Sequence, residues 1–196
     1  MNLRDYRILF AVCCLGLSFF AVTPALNMFV PFYVEEPFSE LSILGSAHMA
    51  KDYPFNVEVK SIESLFVTVG NHMGESLYYA VYVKFRNQSQ SIPENNEPSS
   101  LAPLYELGVF LLDGEKWERM VNFTFLEALR TAGTVRVKKM MINNVVFEVD
   151  SISTWDSEYN GFYFQLFFEL WLHDMASRSL SYYEQGFVGV WLNMTI

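Results

Sequence analysis

The stretch Leu77-Tyr78-Tyr79-Ala80-Val81-Tyr82-Val83-Lys84-Phe85-Arg86 decides the fold of this chain. Its odd-numbered positions are all apolar or aromatic, whereas its even-numbered positions end in Lys84 and Arg86. Successive side chains of a β-strand point to opposite faces of the sheet, so alternation with a period of two indicates a strand. The pattern predicts a strand with one face in a core and a different, more polar second face.

Residues 162–173 repeat this alternation over a longer stretch. The even-numbered positions from Phe162 to Leu172 are all apolar, and the odd-numbered positions are mixed, with Gln165 and Glu169 among the aromatic residues. Further strands are predicted at 41–44, 55–60, 64–69, 107–112, 117–125, 134–143, 145–149 and 187–194. Many short strands separated by turn residues are typical of an antiparallel β-sandwich, here with about seven to nine strands.

Turn and loop residues separate the predicted strands. Asp113-Gly114 lies between two apolar runs and predicts a hairpin, because glycine adopts the positive φ that tight turns need. The polar, proline-containing segment from Asn87 to Pro103 is interpreted as a loop on the surface. A short helical turn is predicted at residues 126–131.

The chain begins with an apolar segment that is long enough to cross a bilayer. Residues 8–34 carry no charge, and Ile8–Val30 alone exceeds the ~20 residues that a membrane-spanning helix needs. Arg4 and Arg7 precede the segment and Glu35 follows it. The positive-inside rule therefore predicts a cytoplasmic N-terminus at 1–7, a single-pass anchor at 8–30 and an extracytoplasmic domain at 32–196.

A cleaved signal peptide is the alternative to an uncleaved anchor. Both begin with basic residues and an apolar run, and Thr23-Pro24-Ala25 resembles a cleavage site with small residues. The apolar run continues beyond that point to Val30, and proline is an unfavourable neighbour for a peptidase. The anchor is therefore the preferred interpretation, while cleavage stays open.

Composition excludes two classes of protein. Of the 196 residues, 52% are hydrophobic and 17% aromatic, which is far more apolar side chain than disordered segments contain. The formal net charge is −9, and no basic patch occurs, so nucleic-acid binding is not expected. Both cysteines, Cys13 and Cys14, lie in the apolar segment, so the outer domain must be stable without disulfides.

Several short motifs, in order, resemble a known family. They are FSELSILG at 38–45, AKDYP at 50–54, VGNH at 69–72, LDGEKW at 112–117 and VNFTF at 121–125. This part of the chain is similar to an archaeal membrane-protein family of unknown function (domain of unknown function 1616). The resemblance implies a cell-surface protein with an extracytoplasmic Ig-like β-sandwich after a transmembrane segment, and it implies no activity. Members often carry several membrane helices upstream, whereas here one is predicted.

Two sets of residues are candidates for modification or binding. Three N-x-[ST] sequons predict N-glycosylation acceptors on the outer side of the membrane, at Asn87, Asn122 and Asn193. The second faces of the two long strands carry aromatic residues, and an exposed aromatic face usually marks a partner surface. The candidate partner surface consists of Tyr78, Tyr82, Tyr163, Phe167 and Trp171. If another element of the chain covers these residues, they contribute to ordinary packing and do not form a partner surface.

No motif predicts catalysis, a cofactor or a metal. The acidic residues Glu148, Asp150, Asp156 and Glu158 do not have the spacing of a calcium loop, so an acidic solvated rim is the preferred interpretation. The three histidines are far apart and have no cysteine partners. We therefore expect a membrane-anchored surface protein that binds a protein or an envelope glycan. The alternatives are an accessory subunit of a larger membrane complex and, less favoured, an enzyme acting on envelope polymers.

Overall fold

The computed structural model of the chain describes residues 6–7, 10–18, 36–94, 97–174 and 178–195. The chain divides into two compact units, Met1–Glu36 and Pro37–Ile196. In the first unit, residues 6–7 and 10–18 are helical. No helix among the described residues is both long enough and apolar enough to cross a bilayer. The remainder of the predicted anchor, residues 8–9 and 19–30, lies outside the described residues.

The second unit is built from strands. The strands are β1 (Phe38–Leu44), β2 (Asn56–Glu58), β3 (Glu63–His72), β4 (Leu77–Asn87), β5 (Tyr105–Leu111), β6 (Lys116–Thr131), β7 (Thr134–Ile142), β8 (Val145–Thr154), β9 (Tyr163–Asp174) and β10 (Ser179–Thr195). Each coincides with a strand predicted from the sequence. The ten strands exceed the expected seven to nine, because every strand, including the short β2, pairs with a neighbour in one of the two sheets.

The strands form two five-stranded sheets. Sheet I has the order β1-β3-β6-β7-β8, and sheet II has the order β2-β10-β9-β4-β5. All neighbouring strands are antiparallel except β2 and β10, which pair in parallel with Asn56 opposite Asn193. The prediction of a mainly β sandwich is confirmed, and the one parallel pair corrects the expectation of an entirely antiparallel one.

The core lies between the two sheets and follows the predicted alternation. The odd-numbered residues of β4, including Val81 and Val83, and the even-numbered residues of β9, including Leu166, are buried there. Across the sheets, the rings of Phe85 and Phe125 lie 5.6 Å apart. Because burial of apolar side chains is the main stabilising term, this core holds the unit together without disulfides.

The helical turn predicted at residues 126–131 is wrong. Strand β6 continues through this segment to Thr131, and Thr131 lies opposite Thr134 of β7. Pairing with β7 supplies the backbone hydrogen bonds that a helix would otherwise supply within the segment. Tertiary pairing therefore overrides a weak local helical preference.

The hairpin predicted at Asp113-Gly114 is also wrong, although the turn itself exists. Gly114 has a φ of 76°, as the turn requires. The flanking strands β5 and β6 belong to different sheets, so the turn connects the two sheets and does not join paired strands. A glycine turn reverses the chain direction in both cases, and the local sequence does not distinguish them.

The strand register defines two opposite ends of the sandwich. The end at which the chain enters β1, at Phe38, is called the entry end. There Ser39 Oγ lies 2.8 Å from Tyr79 Oη, near the start of β4. The opposite end is called the far end. There Asn87 of β4 lies opposite Phe164 of β9, and Tyr163 of β9 lies opposite Asn193 of β10. Strand β4 separates the ends by ~35 Å at about 3.3 Å per residue.

The segment expected as a surface loop is a largely exposed loop, and it folds over sheet II. We call residues 88–104 the covering loop; residues 95 and 96 are not described. The backbone N–H of Leu104 donates to the carbonyl of Val83 at 2.8 Å, and Ser99 is buried. The outer face of sheet II is therefore covered along its middle by this loop.

The β7–β8 hairpin has a two-residue turn in which both residues have positive φ, Asn143 at 47° and Asn144 at 68°. This is the type I′ geometry that matches the twist of paired strands. We expect Asn144→Val to lower the free energy of unfolding by roughly 1–2 kcal/mol, because a β-branched side chain is strained at positive φ. The measurement is urea unfolding of the full chain in detergent, followed by tryptophan fluorescence.

Asn144→Gly is the matched control, since glycine adopts this conformation freely. It should leave the free energy of unfolding unchanged or slightly raised. Equal losses for the valine and glycine variants would contradict the assignment of turn strain.

Candidate functional site

The outer face of sheet II brings polar and aromatic side chains from β4, β9 and β10 into neighbouring rows. The register places Tyr82 opposite Glu169 and Arg86 opposite Gln165. In β10, Trp191 lies opposite Gln165 on the other side of β9. Because side chains on one face of neighbouring strands lie close together, residues far apart in the sequence meet here.

An ion pair is buried in the middle of this face. Lys84 Nζ lies 2.8 Å from Glu169 Oε2, and the two side chains are 3% and 0% exposed. The covering loop completes the arrangement through Ser99. Its carbonyl accepts a hydrogen bond from Lys84 Nζ at 2.8 Å, and its N–H donates to Glu169 Oε1 at 2.8 Å. Trp171 Nε1 donates to Glu169 Oε2 at 3.3 Å.

This ion pair attaches the covering loop to the sheet. Buried charges are tolerated only when they are paired and hydrogen-bonded. Here the two charges pair with each other, and Ser99 and Trp171 supply the additional hydrogen bonds. Both oxygens of the Glu169 carboxylate accept hydrogen bonds from the protein, and the side chain is inaccessible to solvent. The pair therefore has a structural role.

Arg86 connects the covering loop to the far end of the sheet. Its Nε donates to Gln165 Oε1 at 2.6 Å, and one of its terminal nitrogens donates to the carbonyl of Gln90. The guanidinium carbon lies 4.8 Å from the centre of the Trp191 ring. Burial lowers the pKa of Arg86 from its ordinary value. These contacts hold the Trp191 ring in place by a cation–π interaction.

An open cleft lies beside Trp191 at the far end. Its volume is about 370 Å³, and we call it the aromatic cleft; its lining residues are Phe55, Gln88, Asp156, Tyr159, Tyr163 and Trp191. Three of its rings are unusually exposed: Tyr159 at 66%, Phe55 at 49% and Trp191 at 40%. Exposed aromatic rings gathered at one concave place are typical of a binding site.

The turn that carries Tyr159 is held by hydrogen bonds. Asp156 Oδ1 accepts from the N–H groups of Glu158 at 2.9 Å and Tyr159 at 3.1 Å. The backbones of Asp156 and Gly161 bridge each other, and Tyr163 Oη donates to the Tyr159 carbonyl at 2.6 Å. The cleft is therefore preformed.

Gly161 lets this turn lie close to the sheet. A Cβ at this position would come within 2.4 Å of Asn193 Oδ1 and 2.8 Å of the Tyr163 ring. Any larger residue would push the turn away from β10, so the geometry of the cleft requires glycine here.

Polar groups line one side of the cleft. Gln88 Nε2 donates to Asp156 Oδ2 at 3.2 Å, and Gln88 Oε1 accepts from Ser153 Oγ at 2.8 Å. An amide and a carboxylate thus lie side by side next to the rings. This combination offers both a donor and an acceptor to a bound molecule.

The five residues of the candidate partner surface are distributed over three environments. Phe167 is fully buried and contacts the Phe187 ring, and Tyr163 lines the aromatic cleft. Tyr82 and Trp171 are in ring contact at 5.3 Å and are partly buried, while Tyr78 is 38% exposed. Ring contacts between neighbouring strands of sheet II therefore account for part of the aromatic excess as packing.

An aromatic patch remains at the entry end. We define it as Tyr78, Tyr82, Phe110, Trp171 and Tyr182, of which Phe110 is 61% exposed. The Trp171 and Tyr182 rings lie 5.8 Å apart. Burial raises the pKa values of Tyr82 and Tyr182, so both phenols stay neutral at physiological pH.

The amides of the three sequon asparagines already make hydrogen bonds. Asn87 Nδ2 donates to the Ile152 carbonyl at 2.8 Å, and Asn193 Nδ2 donates to Asn56 Oδ1 at 2.9 Å. Asn122 lies in β6 between two paired strands, and its Oδ1 accepts from Ser64 Oγ at 2.7 Å. N-glycosylation of these residues stays a prediction.

The acidic residues considered as a rim do not converge. Asp150 pairs with Arg136, with Nη2 to Oδ2 at 2.7 Å, and this hydrogen-bonded pair lowers the pKa of Asp150. Glu148 pairs with Lys139 at 3.0 Å, and Asp156 belongs to the cleft. Among the described residues, no group of three or more metal-ligating side chains is close enough to hold a metal.

The fold and the site together define a two-sheet β-sandwich domain with a loop-covered outer face and an aromatic cleft at the end opposite chain entry. The chain belongs to the family described as Domain of unknown function (DUF1616), which it matches over residues 33–160. This confirms the family resemblance found in the sequence. The family description names no activity, so functional inference depends on the geometry of the site.

Two solved structures are similar to parts of the chain. The CARDB domain of a Pyrococcus furiosus protein, in complex with di-metal ions, is 12% identical, with 82% of this chain and 90% of that chain covered and a TM-score of 0.40. A Listeria innocua beta-glucosidase in complex with gluconolactone is 18% identical, with 59% of this chain and 16% of that chain covered and a TM-score of 0.30. No curated protein matches the chain.

Most of the cleft could not be predicted from the sequence. No sequence motif marks Phe55, Gln88, Tyr159 or Trp191, and the sequence alone places Asp156 in an acidic rim. These residues come from the β2 region, the covering loop, the 155–162 turn and β10, so no local motif contains them. The available signal was the unusual density of aromatic residues next to the Asn160-Gly161 turn.

The buried ion pair yields a stability prediction. Lys84→Met should lower the free energy of unfolding by roughly 3–5 kcal/mol, because it leaves the Glu169 carboxylate buried and unpaired. Adding Glu169→Gln should recover part of this loss, since the amide oxygen still accepts from Ser99 without a charge. Urea unfolding of the full chain in detergent, followed by tryptophan fluorescence, measures both effects.

Lys139→Met is the matched control, because its partner Glu148 is 71% exposed. Exposed ion pairs contribute about 0–1 kcal/mol, so this variant should unfold much like the wild type. If Lys84→Met costs no more than Lys139→Met, the ion pair does not hold the covering loop.

Proposed function

We propose that this protein is a single-pass, membrane-anchored cell-surface protein whose Ig-like sandwich binds a component of the cell envelope without catalysis. The observation that carries the proposal is the position of the aromatic cleft. The chain enters the sandwich at Phe38, and the cleft with Trp191 lies at the opposite end of the strands. Within the sandwich, the cleft is therefore remote from the residue through which the N-terminal segment is connected.

The sequence supports anchoring at the entry end. Residues 8–34 carry no charge, and basic residues precede them while acidic residues follow. Only six residues separate Val30 from Pro37, so an anchor at 8–30 would be joined to the sandwich at its entry end by a short connection. Within the sandwich, the cleft lies ~35 Å from that end along the strands.

The strand order supports an Ig-like assignment. In variable-type Ig domains, strands G, F, C and C′ are neighbours, and β10, β9, β4 and β5 follow that order. In sheet I, β1, β3 and β6 take the places of A, B and E, while β7 and β8 extend the sheet as a meander.

The state of the acidic groups favours binding over catalysis. The buried Glu169 is inaccessible to solvent, and Asp150 and Glu148 are engaged in surface ion pairs. Asp156 stabilises the turn that carries Tyr159. A general acid or base must reach the proton it transfers; Glu169 is shielded from solvent, and Asp150 and Glu148 are paired with cations.

The aromatic patch favours a second candidate function, that of an accessory subunit in a larger membrane complex. Phe110 is 61% exposed, and Tyr78 beside it is 38% exposed. Both lie at the entry end, where a neighbouring membrane protein would contact this chain. Large exposed aromatic side chains are enriched at protein–protein interfaces.

Cysteine labelling of intact cells tests the topology. The chain has only Cys13 and Cys14, so a background with both replaced by alanine has no thiol. In that background, Ser157→Cys should react with a membrane-impermeant maleimide in intact cells, because Ser157 is exposed at the far end. Asn2→Cys, the matched control, should react only after lysis. The reverse pattern would contradict the proposed orientation.

Site-specific photo-cross-linking separates the two candidate functions. Benzoylphenylalanine replaces Tyr159 in the cleft, Phe110 in the aromatic patch, and, as a control, the exposed Ile62, which belongs to neither surface. The proposed function predicts adducts in native cells at position 159. Adducts at position 110 without any at 159 would favour the accessory-subunit function instead.

A further inference from the structure

We propose that the aromatic cleft binds a neutral carbohydrate, with sugar rings packed on its exposed aromatic side chains and hydroxyl groups bonded to Asp156 and Gln88. This inference rests on the proposed function, because it names the chemical class of the envelope component bound at the same cleft.

The shape of the cleft suits a short sugar segment. Its volume of about 370 Å³ lies at the lower end of the ~300–1,000 Å³ range of small-ligand sites. A typical protein partner buries about 800 Å² on each side, much more than six side chains around a local cleft provide. The cleft therefore fits a mono- or oligosaccharide better than a folded protein.

The exposed rings supply the apolar part of the recognition. Tyr159, Phe55 and Trp191 keep between 40% and 66% of their surface exposed at one place. Aromatic faces carry negative charge density, whereas the C–H groups on a pyranose face are weakly positive, so the two surfaces attract. Covering these rings with a sugar removes apolar area from water without requiring a wholly apolar ligand.

The polar pair supplies a complement to sugar hydroxyls. Asp156 accepts two hydrogen bonds at Oδ1 and one at Oδ2, which leaves an acceptor position at Oδ2. Gln88 Nε2 uses one of its two donors on Asp156. A free acceptor and a free donor thus lie about 3.2 Å apart, which suits two neighbouring hydroxyl groups.

The charges around the cleft favour a neutral ligand. Among the described residues that line it, Asp156 is the charged one, and the chain carries a net charge of −9. Arg86, beneath Trp191, is buried and bonded to Gln165 and Gln90. Phosphate, sulfate or uronate groups in the cleft would therefore lie near the Asp156 carboxylate, while the cation of Arg86 is covered by the Trp191 ring. Neutral hexoses avoid this repulsion.

The site is ordered before a ligand arrives. The Asp156–Gly161 bridge and the Tyr163 hydroxyl hold the turn that carries Tyr159, and the Arg86 contact holds the Trp191 ring. Because the rings are already positioned, binding costs little additional side-chain entropy.

Binding of defined sugars to the full chain tests the proposal. The protein is kept in a detergent without a sugar headgroup, since maltoside and glucoside detergents would compete. Maltotriose, cellotriose, mannotriose and galactose-containing trisaccharides are the probes, and tri-galacturonate is the anionic comparator. Isothermal titration should detect binding of at least one neutral probe and weaker binding, or none, of tri-galacturonate.

The variants separate the cleft from other surfaces. Tyr159→Ala should reduce affinity on the order of tenfold, and Asp156→Ala should do the same through the lost acceptor. Phe110→Ala, an exposed aromatic at the opposite end, is the matched control and should bind as the wild type does. Unfolding midpoints, measured alongside, confirm that each variant is folded.

Several results would overturn the proposal. The first is that no neutral probe binds, and the second is that tri-galacturonate binds as tightly as the neutral probes. The third is that folded Tyr159→Ala and Asp156→Ala variants bind sugar as the wild type does. If position 159 cross-links to a protein and no sugar binds, the proposed cell-surface binding function stands and the carbohydrate proposal is wrong. If sugar binds but the cysteine-labelling pattern is reversed, the cell-surface topology is wrong and the carbohydrate site stands.

Discussion

The buried ion pair between Lys84 and Glu169 is the interaction on which the outer half of the domain depends. Two opposite charges without contact to water are stable here because Ser99 supplies both a carbonyl acceptor and an N–H donor. The same contacts attach the covering loop to sheet II. With the loop in place, the middle of this sheet is buried on both faces, which explains why β4 and β9 are so rich in aromatic and apolar residues.

The covering loop also determines which surfaces remain open. It covers the middle of the outer face and leaves the aromatic patch at the entry end and the aromatic cleft at the far end. Through Gln90 and Arg86, the start of the loop reaches Trp191, so the structural contacts and the cleft are continuous. One loop therefore both stabilises the sheet and positions a wall of the candidate site.

Much of the fold could be predicted because strand periodicity is a local property. The alternation in β4 and β9 identified the core-facing residues, and all ten strands coincide with predicted ones. The errors occurred where a long-range partner decides the outcome. Residues 126–131 extend β6 because β7 pairs with them, and Asp113-Gly114 connects two sheets because β5 and β6 have different neighbours.

The sequence by itself determined the strands, their core faces, the family and an apolar N-terminal segment, because each depends on residues close together in the chain or on the order of short motifs. Only the tertiary structure decided that Lys84 meets Glu169 and that Phe55, Asp156 and Trp191 share one cleft. The physical reason is that the pleat orients each side chain within its own strand, whereas contacts between strands depend on sheet order, register and the path of the loop.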